Sequence, residues 1–144
     1  MTTNRSETAA AIKSVLVIDG SRAHLEVMER FLKNAGITAT VEARGDTAMA
    51  LAETDTPDLI ITEAMLPGER DFETLKRLKA SPTLKDVPVI VASVCRDAAF
   101  RQRALELGAC DTICKPYDIR GAMERVRVIL DRAIQCRSNG RLVP

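Results

Sequence analysis

Short runs of apolar, often β-branched residues alternate along the chain with amphipathic stretches, and the pair recurs five times. The runs predicted to be strands are residues 14–18, 38–43, 59–62, 89–93 and 111–114. Because the runs are apolar almost throughout, both faces of the sheet are expected to be covered. Five βα units of this kind predict an α/β fold, a doubly wound three-layer sandwich around a five-stranded parallel sheet.

The stretches after the strands predict amphipathic helices, placed by capping residues and apolar stripes. Ser21 is the predicted N-cap of the first helix, which ends before Gly36. The remaining helices are expected from Asp46 as N-cap to Leu51, over 71–80, from Asp97 as N-cap to Gly108, and from about Asp118 to Gln135. The residues predicted to face the core are Leu25, Met28, Phe31, Leu32, Ala35, Phe72, Leu75, Leu78, Ile119, Met123, Val126, Ile129, Leu130, Ala133 and Ile134.

Composition indicates one globular domain. The 144 residues are 46% apolar and 28% charged, and the formal net charge of +1 does not favour binding to nucleic acid or to an anionic membrane. We find no signal-peptide pattern and no stretch of transmembrane length, so a cytoplasmic protein is expected. We divide the chain into a flexible N-terminal segment (1–13), the domain (14–135) and a tail (136–144) whose final Leu-Val-Pro resembles an engineered protease site.

The cysteines give no metal-binding pattern. Cys95, Cys110, Cys114 and Cys136 lack zinc-ligand spacing, and the only histidine, His24, is expected at the surface of the first helix. We interpret the cysteines as small buried apolar residues in preference to a redox switch, with Cys136 in the polar tail as the one most open to chemistry.

Polar residues stand where the predicted strands end. Asp19 and Gly20 follow the first strand, Glu63 the third, Ser93 ends the fourth and Lys115 follows the fifth. Ligands of doubly wound sheets bind at this edge. Two carboxylates, a hydroxyl and an amine together could hold a cation or a phosphoryl group, while each residue taken alone fits ordinary loop polarity equally well.

Five sequence stretches carry a resemblance to a known family. They are VLVIDG (15–20), PDLIITEAMLPG (57–68), PVIVAS (88–93), GACD (108–111) and KPY (115–117). From residue 15 to about 133 the chain resembles the receiver domain of response regulators in two-component signalling. The resemblance implies a flavodoxin-like (βα)5 fold with strand order 2-1-3-4-5. In that family an aspartate ending the third strand accepts a phosphoryl group from a histidine kinase, and an acidic pair after the first strand holds magnesium. A serine or threonine and a lysine hold the phosphoryl oxygens, and the lysine–proline bond is commonly cis.

The chain departs from that family pattern at three positions. Asp19, Ser93 and Lys115 match it, but Gly20 replaces the second acid and Glu63 replaces the phosphoacceptor aspartate. Thr112 stands where many members carry the aromatic residue that turns inward on activation. We therefore expect no cofactor. Any magnesium site would be weak and would use Asp19, Glu63 and the backbone of Met65.

We interpret the chain as an atypical receiver that is not an enzyme and that acts by protein contact. The alternatives are a working phosphoreceiver and a small flavodoxin-like nucleotide binder or enzyme. Glu63 either mimics a phosphoryl group near Lys115 and Ser93 or pairs with Lys115 in one fixed shape. The expected partners are an effector domain or another protein such as a histidine kinase, without membrane or direct nucleic-acid contact. A homodimer through the fourth helix, fifth strand and last helix would place Asp111 and Arg125 at its interface.

Overall fold

Five parallel strands alternate with five helices in the part of the chain that the structure, a computed structural model, describes, residues 13–138. The elements are β1 (Ser14–Ile18), α1 (Arg22–Asn34), β2 (Thr38–Glu42), α2 (Gly45–Thr54), β3 (Leu59–Glu63), α3 (Glu73–Ala80), β4 (Val89–Ser93), α4 (Ala98–Glu106), β5 (Asp111–Cys114) and α5 (Ile119–Ser138). The strands lie in the order β2-β1-β3-β4-β5. The flavodoxin-like fold and strand order predicted from the sequence are therefore confirmed.

The sheet buries apolar side chains on both faces. On one face, Leu16 and Ile60 pack with residues of α2, α3 and α4 such as Leu78. On the other face, Val17 and Ile61 pack with the apolar stripes of α1 and α5. Successive residues of a strand point to opposite faces, so a strand covered on both sides is apolar at every position. This packing fixes the strand ends at one edge, where the polar residues lie.

The helix ends differ from several sequence predictions. Ser21 is the N-cap of α1 as predicted, and its side chain accepts a hydrogen bond from His24 N–H. Asp46 is not the N-cap of α2. That helix begins at Gly45 and continues to Thr54, and the Asp46 carboxylate lies 3.0 Å from Arg77 Nη1 on α3.

Five further boundaries differed from the prediction by one to three residues. The third helix begins at Glu73 because Phe72 adopts a left-handed backbone conformation with φ of 52°. The fourth helix ends at Glu106, and its N-cap residue Asp97 makes no side-chain capping bond. The last helix continues to Ser138, so the start of the predicted tail is helical. Strand β2 ends one residue earlier than predicted, and β3 extends to Glu63.

The predictions for the termini fall mainly outside the described residues. Residues 1–12 and 139–144 are not described, so the flexible segment and the end of the tail stay predictions. Between residues 13 and 138, no helix combines the length and apolar character needed to cross a membrane.

Candidate functional site

Four residues converge at the carboxyl edge of the sheet. Asp19 follows β1, Glu63 ends β3 and Lys115 follows β5, while Gly20 begins the β1–α1 loop. We call these four residues the carboxyl-edge pocket. The parallel register of β1 with β3 and of β3 with β4 brings these ends side by side.

Lys115 is shared between two carboxylates of the carboxyl-edge pocket. Its Nζ lies 2.5 Å from Asp19 Oδ2 and 3.2 Å from Glu63 Oε2. Asp19 and Lys115 are almost fully buried, whereas the Glu63 side chain is 28% exposed. The Asp19 contact is a close ion pair without the alignment of a hydrogen bond. A buried charge is tolerated in a protein only when it is paired, so Lys115 and Asp19 depend on each other.

The Glu63 carboxylate turns towards the β1–α1 loop. Its Oε1 accepts a hydrogen bond from Gly20 N–H at 3.1 Å, while Oε2 accepts one from Lys115. Ser93 Oγ instead accepts from Cys95 N–H at 3.0 Å. Within the described part of the chain, Ser93 and Glu63 share no hydrogen bond. Glu63 therefore contacts Lys115, as one reading of the sequence expected, but does not bridge to Ser93.

The carboxyl-edge pocket fits magnesium poorly. Both Asp19 oxygens are engaged, one by Ser21 N–H at 2.8 Å and the other by Lys115. A Cβ at Gly20 would lie 2.6 Å from Cδ of Pro67, so the proline ring occupies the space where a second acid would begin. Across residues 13–138, no group of three or more histidine, cysteine or acidic side chains is arranged to hold a metal ion. Magnesium requires near-octahedral oxygen ligands, and this donor set does not supply them.

Two aromatic rings that the sequence did not single out border Asp19. His24 was expected at the surface but is half-buried, with Nδ1 3.8 Å from Asp19 Oδ2. Its ring meets the Tyr117 ring edge-on at a centroid distance of 5.9 Å. Burial raises the pKa of the Tyr117 hydroxyl well above its usual range, and the carboxylates of Asp19 and Glu63 add to the shift. The Ser21 cap, which orients the first turn of α1, was the only sequence signal for the position of His24.

Thr112, at the position where many family members carry the inward-turning aromatic residue, is part of a polar cluster on the β5 surface. Thr112 Oγ1 accepts a hydrogen bond from Arg101 Nη1 at 2.6 Å. Arg101 also contacts Asp111, and Arg125 Nη1 lies 2.8 Å from the Asp111 carboxylate. Asp111 and Arg125, predicted at a dimer interface, thus pair within one chain. A cavity of about 320 Å³ opens beside them, and Phe100 also lines it.

The cysteines are not buried, contrary to the sequence interpretation. Cys95 and Cys110 are exposed, and Cys114 and Cys136 are partly exposed. The interpretation rested on the general tendency of free cysteine to be buried, but Cys95 and Cys110 lie in loops and Cys114 ends β5. The Lys115–Pro116 peptide bond is cis, as the resemblance implied.

Comparison with known proteins identifies the family. The sequence profile of the "Response regulator receiver domain" family matches residues 15–127. Solved structures agree: a putative response regulator from Chloroflexus aurantiacus superposes with a TM-score of 0.78 at 27% identity, covering 83% of this chain and 98% of that one. The chemotaxis response regulator CheY4 of Vibrio cholerae gives a TM-score of 0.77 at 22% identity over 83% of this chain and 99% of its own, which supports the fold. The chain belongs to the response regulator receiver domain family.

The curated relatives are longer proteins. The response regulator PleD of Caulobacter vibrioides is 31% identical over an alignment of 133 residues that covers 88% of this chain and 29% of PleD. The transcriptional regulatory protein GltR of Pseudomonas aeruginosa is 33% identical over 122 residues, which are 84% of this chain and 50% of GltR. The chain thus spans about a third to a half of these relatives' length.

Proposed function

We propose that this receiver domain acts by protein contact and does not relay a phosphoryl group. The observation that carries the proposal is the position of the Glu63 carboxylate, which bridges Gly20 N–H and Lys115 Nζ. These contacts link the loop after β1 to the end of β5 in one arrangement. In this proposal the pair Glu63–Lys115 replaces a phosphorylation cycle with a fixed shape.

The altered residues support the loss of phosphoryl chemistry. Glutamate is one methylene longer than aspartate, which moves the carboxylate by roughly one carbon–carbon bond, and misplacements of about 1 Å already cost ~100-fold in rate. Lys115 forms ion pairs with two carboxylates, and Ser93 Oγ accepts a hydrogen bond from Cys95 N–H. A weak or absent magnesium site removes the charge neutralisation that phosphoryl transfer requires.

The partner is proposed to be an effector domain or another signalling protein such as a histidine kinase. Receiver domains interact with both kinds of partner, and the longer relatives leave room for an effector. We place the contact on the surface of α4, β5 and α5, where Asp111 pairs with Arg101 and Arg125. The domain is proposed to work in the cytoplasm and to have no catalytic activity of its own.

Phosphodonor labelling tests the proposal. The native protein and the variant Gly20→Asp/Glu63→Asp/Pro67→Ala are incubated with magnesium and acetyl phosphate, and their intact masses are compared. The Pro67→Ala change removes the ring that a side chain at position 20 would meet. We expect the variant to gain one phosphoryl group on residue 63 and the native protein to remain unlabelled. The same variant with Lys115→Ala serves as the control and should label poorly. Stoichiometric labelling of native Glu63 would favour a working phosphoreceiver, for which the retained Ser93 and Lys115 are the argument.

A further inference from the structure

Two of the cysteines border one cavity. Cys95 in the β4–α4 loop and Cys114 at the end of β5 both line the cavity of about 320 Å³ beside Thr112. Both thiols are free, and Cys95 is exposed to solvent. Neither thiol belongs to the carboxyl-edge pocket, and the proposed function uses only the backbone N–H of Cys95.

The sheet register brings these two cysteines near each other. Ser93 of β4 is the direct partner of Cys114 on β5, and neighbouring strands lie about 4.7–4.9 Å apart. Cys95 is only two residues further, and its N–H bonds back to Ser93 Oγ at 3.0 Å. Disulfides join Cα atoms roughly 4.4–6.8 Å apart, so the exposed loop must carry Cys95 inward for the two sulfurs to meet.

Cys114 also points to the side where Cys95 lies. Its neighbour Ile113 packs in the core formed with α1 and α5. Because side chains alternate along a strand, Cys114 faces the opposite side, towards α4. Residues 94–99 are all exposed, so the loop that carries Cys95 has few buried contacts to break when it moves.

The other cysteines lack this arrangement. Cys110 is exposed as a residue, but its thiol donates a hydrogen bond to the Val89 carbonyl at 3.3 Å, and the partial burial of the sulfur raises its pKa. Cys110 lies four residues before Cys114 along an extended strand, a separation of roughly 13 Å that no disulfide spans. Cys136 lies far along α5. Cys110 and Cys136 therefore serve as internal controls.

We propose that Cys95 and Cys114 form a reversible disulfide under a peroxide oxidant and so pull the β4–α4 loop onto β5. The Cys95 thiolate attacks hydrogen peroxide, the O–O bond breaks, and the released hydroxide takes a proton to form water. The Cys114 sulfur then attacks the Cys95 sulfenic acid, the S–O bond breaks and a second water leaves. Two thiols are oxidised by two electrons, and one peroxide is reduced to two waters.

Oxidation would reshape the surface proposed for partner contact. The cavity is also lined by Phe100 of α4 and by Arg125 of α5, so closing it repositions the start of α4 relative to β5. This consequence for a partner rests on the proposed function, but disulfide formation does not. A negative phosphodonor result and a negative thiol result are thus separate outcomes.

Thiol mapping of the native chain tests the proposal. The reduced protein is treated with equimolar hydrogen peroxide, the remaining thiols are alkylated, and the intact mass and the tryptic peptides are measured. We expect a monomer that has lost two hydrogens, a cross-linked peptide pair containing Cys95 and Cys114, and full reversal by dithiothreitol. Hydrogen exchange of the amides in the β4–α4 loop should slow in the oxidised form.

Matched variants complete the test. Cys95→Ser and Cys114→Ser should each abolish the cross-link, whereas the control variant Cys110→Ser/Cys136→Ser should retain it. The proposal is overturned by four free thiols after peroxide treatment, by a cross-link that survives Cys95→Ser, by a disulfide-linked dimer, or by a sulfenic acid on Cys95 that Cys114 never resolves.

Discussion

Lys115 forms two ion pairs that differ in burial. Its contact with Asp19 is almost completely buried, while Glu63 is partly open to water. Glu63 was the only partner of Lys115 named from the sequence. The structure shows that Asp19 would still pair with Lys115 if Glu63 were lost, so the two carboxylates contribute differently to stability.

The first stability prediction compares the loss of Lys115 with the loss of Glu63, one of its two carboxylate partners. Lys115→Ala leaves the buried Asp19 carboxylate without its cation, so we expect a loss of about 3–5 kcal/mol in the free energy of unfolding. Glu63→Ala removes a partly exposed, charge-assisted contact and should cost about 1–2 kcal/mol. Urea unfolding measures both values. Lys76→Ala, which breaks an exposed ion pair with Asp71, is the control and should leave the free energy of unfolding close to that of the native protein. Equal losses in Lys115→Ala and Lys76→Ala would contradict the buried pairing.

Tyr117 provides a titration probe of the surroundings of Asp19 and Glu63. It is the only tyrosine and the chain has no tryptophan, so the near-ultraviolet absorbance change at alkaline pH reports this residue alone. Burial and the carboxylates of Asp19 and Glu63 raise the pKa of the hydroxyl, so ionisation should begin well above the ordinary value of about 10. Because the native state then holds a proton that the unfolded state has lost, stability should fall as pH rises above about 10.

A charge-removing variant checks the cause of this shift. Glu63→Gln removes one of the two carboxylates that raise the pKa of Tyr117, so its absorbance transition should move to lower pH. Far-ultraviolet circular dichroism recorded in parallel separates ionisation from alkaline unfolding. A native transition at the ordinary tyrosine value would show that Tyr117 is not held in this environment.

Among the elements, the strands were easier to predict than the helix ends. Every strand was located to within one residue, because continuous apolar runs record burial on both faces. The start of α3 was missed because Phe72 adopts a left-handed backbone conformation that no sequence pattern indicates, and its buried ring packs against that of Phe100 at a centroid distance of 5.0 Å. The convergence of Asp19, Glu63 and Lys115 follows from strand topology. The direction of the Glu63 carboxylate does not, since it is set by its hydrogen bonds with Gly20 N–H and Lys115 Nζ.

The start of α2 depends on a close approach from another loop. Gly45 is buried, and a Cβ there would collide with the Glu69 carboxylate and lie 2.8 Å from Thr74 Oγ1. Glu69 Oε1 accepts a hydrogen bond from that hydroxyl at 2.6 Å, so neither group moves freely. At Gly45, the start of α2 therefore packs against both Glu69 of the β3–α3 loop and Thr74 of α3.

Gly45→Ala should accordingly destabilise the domain even though alanine favours helix. We expect a loss of about 1–3 kcal/mol from overpacking, measured by thermal or urea unfolding. Thr47→Ala, an exposed change in the same helix, is the matched control and should stay within about 0.5 kcal/mol of the native protein. Adding Glu69→Ala to Gly45→Ala should recover part of the loss. Stabilisation by Gly45→Ala alone would show that helix propensity outweighs the collision.

For the whole molecule, the fold is that of the receiver family, while two residues at the carboxyl edge of its sheet, Gly20 and Glu63, differ from the pattern described for that family. The sheet order and the profile match over residues 15–127 place the chain in the family. The Pro67 ring takes the space that a side chain at position 20 would need, and Lys115 pairs with the Asp19 carboxylate. We therefore expect magnesium to leave the stability of the native protein unchanged.

Measuring the Tm at increasing magnesium concentration tests this expectation without any phosphodonor. A ligand that binds only the folded state stabilises it, by about 2.7 kcal/mol at a concentration 100 times its Kd. Millimolar magnesium should therefore leave the Tm of the native protein where sodium chloride of equal ionic strength leaves it. The variant Gly20→Asp/Glu63→Asp/Pro67→Ala should instead show a Tm that rises with magnesium concentration, because three carboxylates then surround an open site. A magnesium-dependent Tm in the native protein would mean that Asp19 and Glu63 release Lys115 to bind the ion, and the fixed arrangement proposed for this receiver would be wrong.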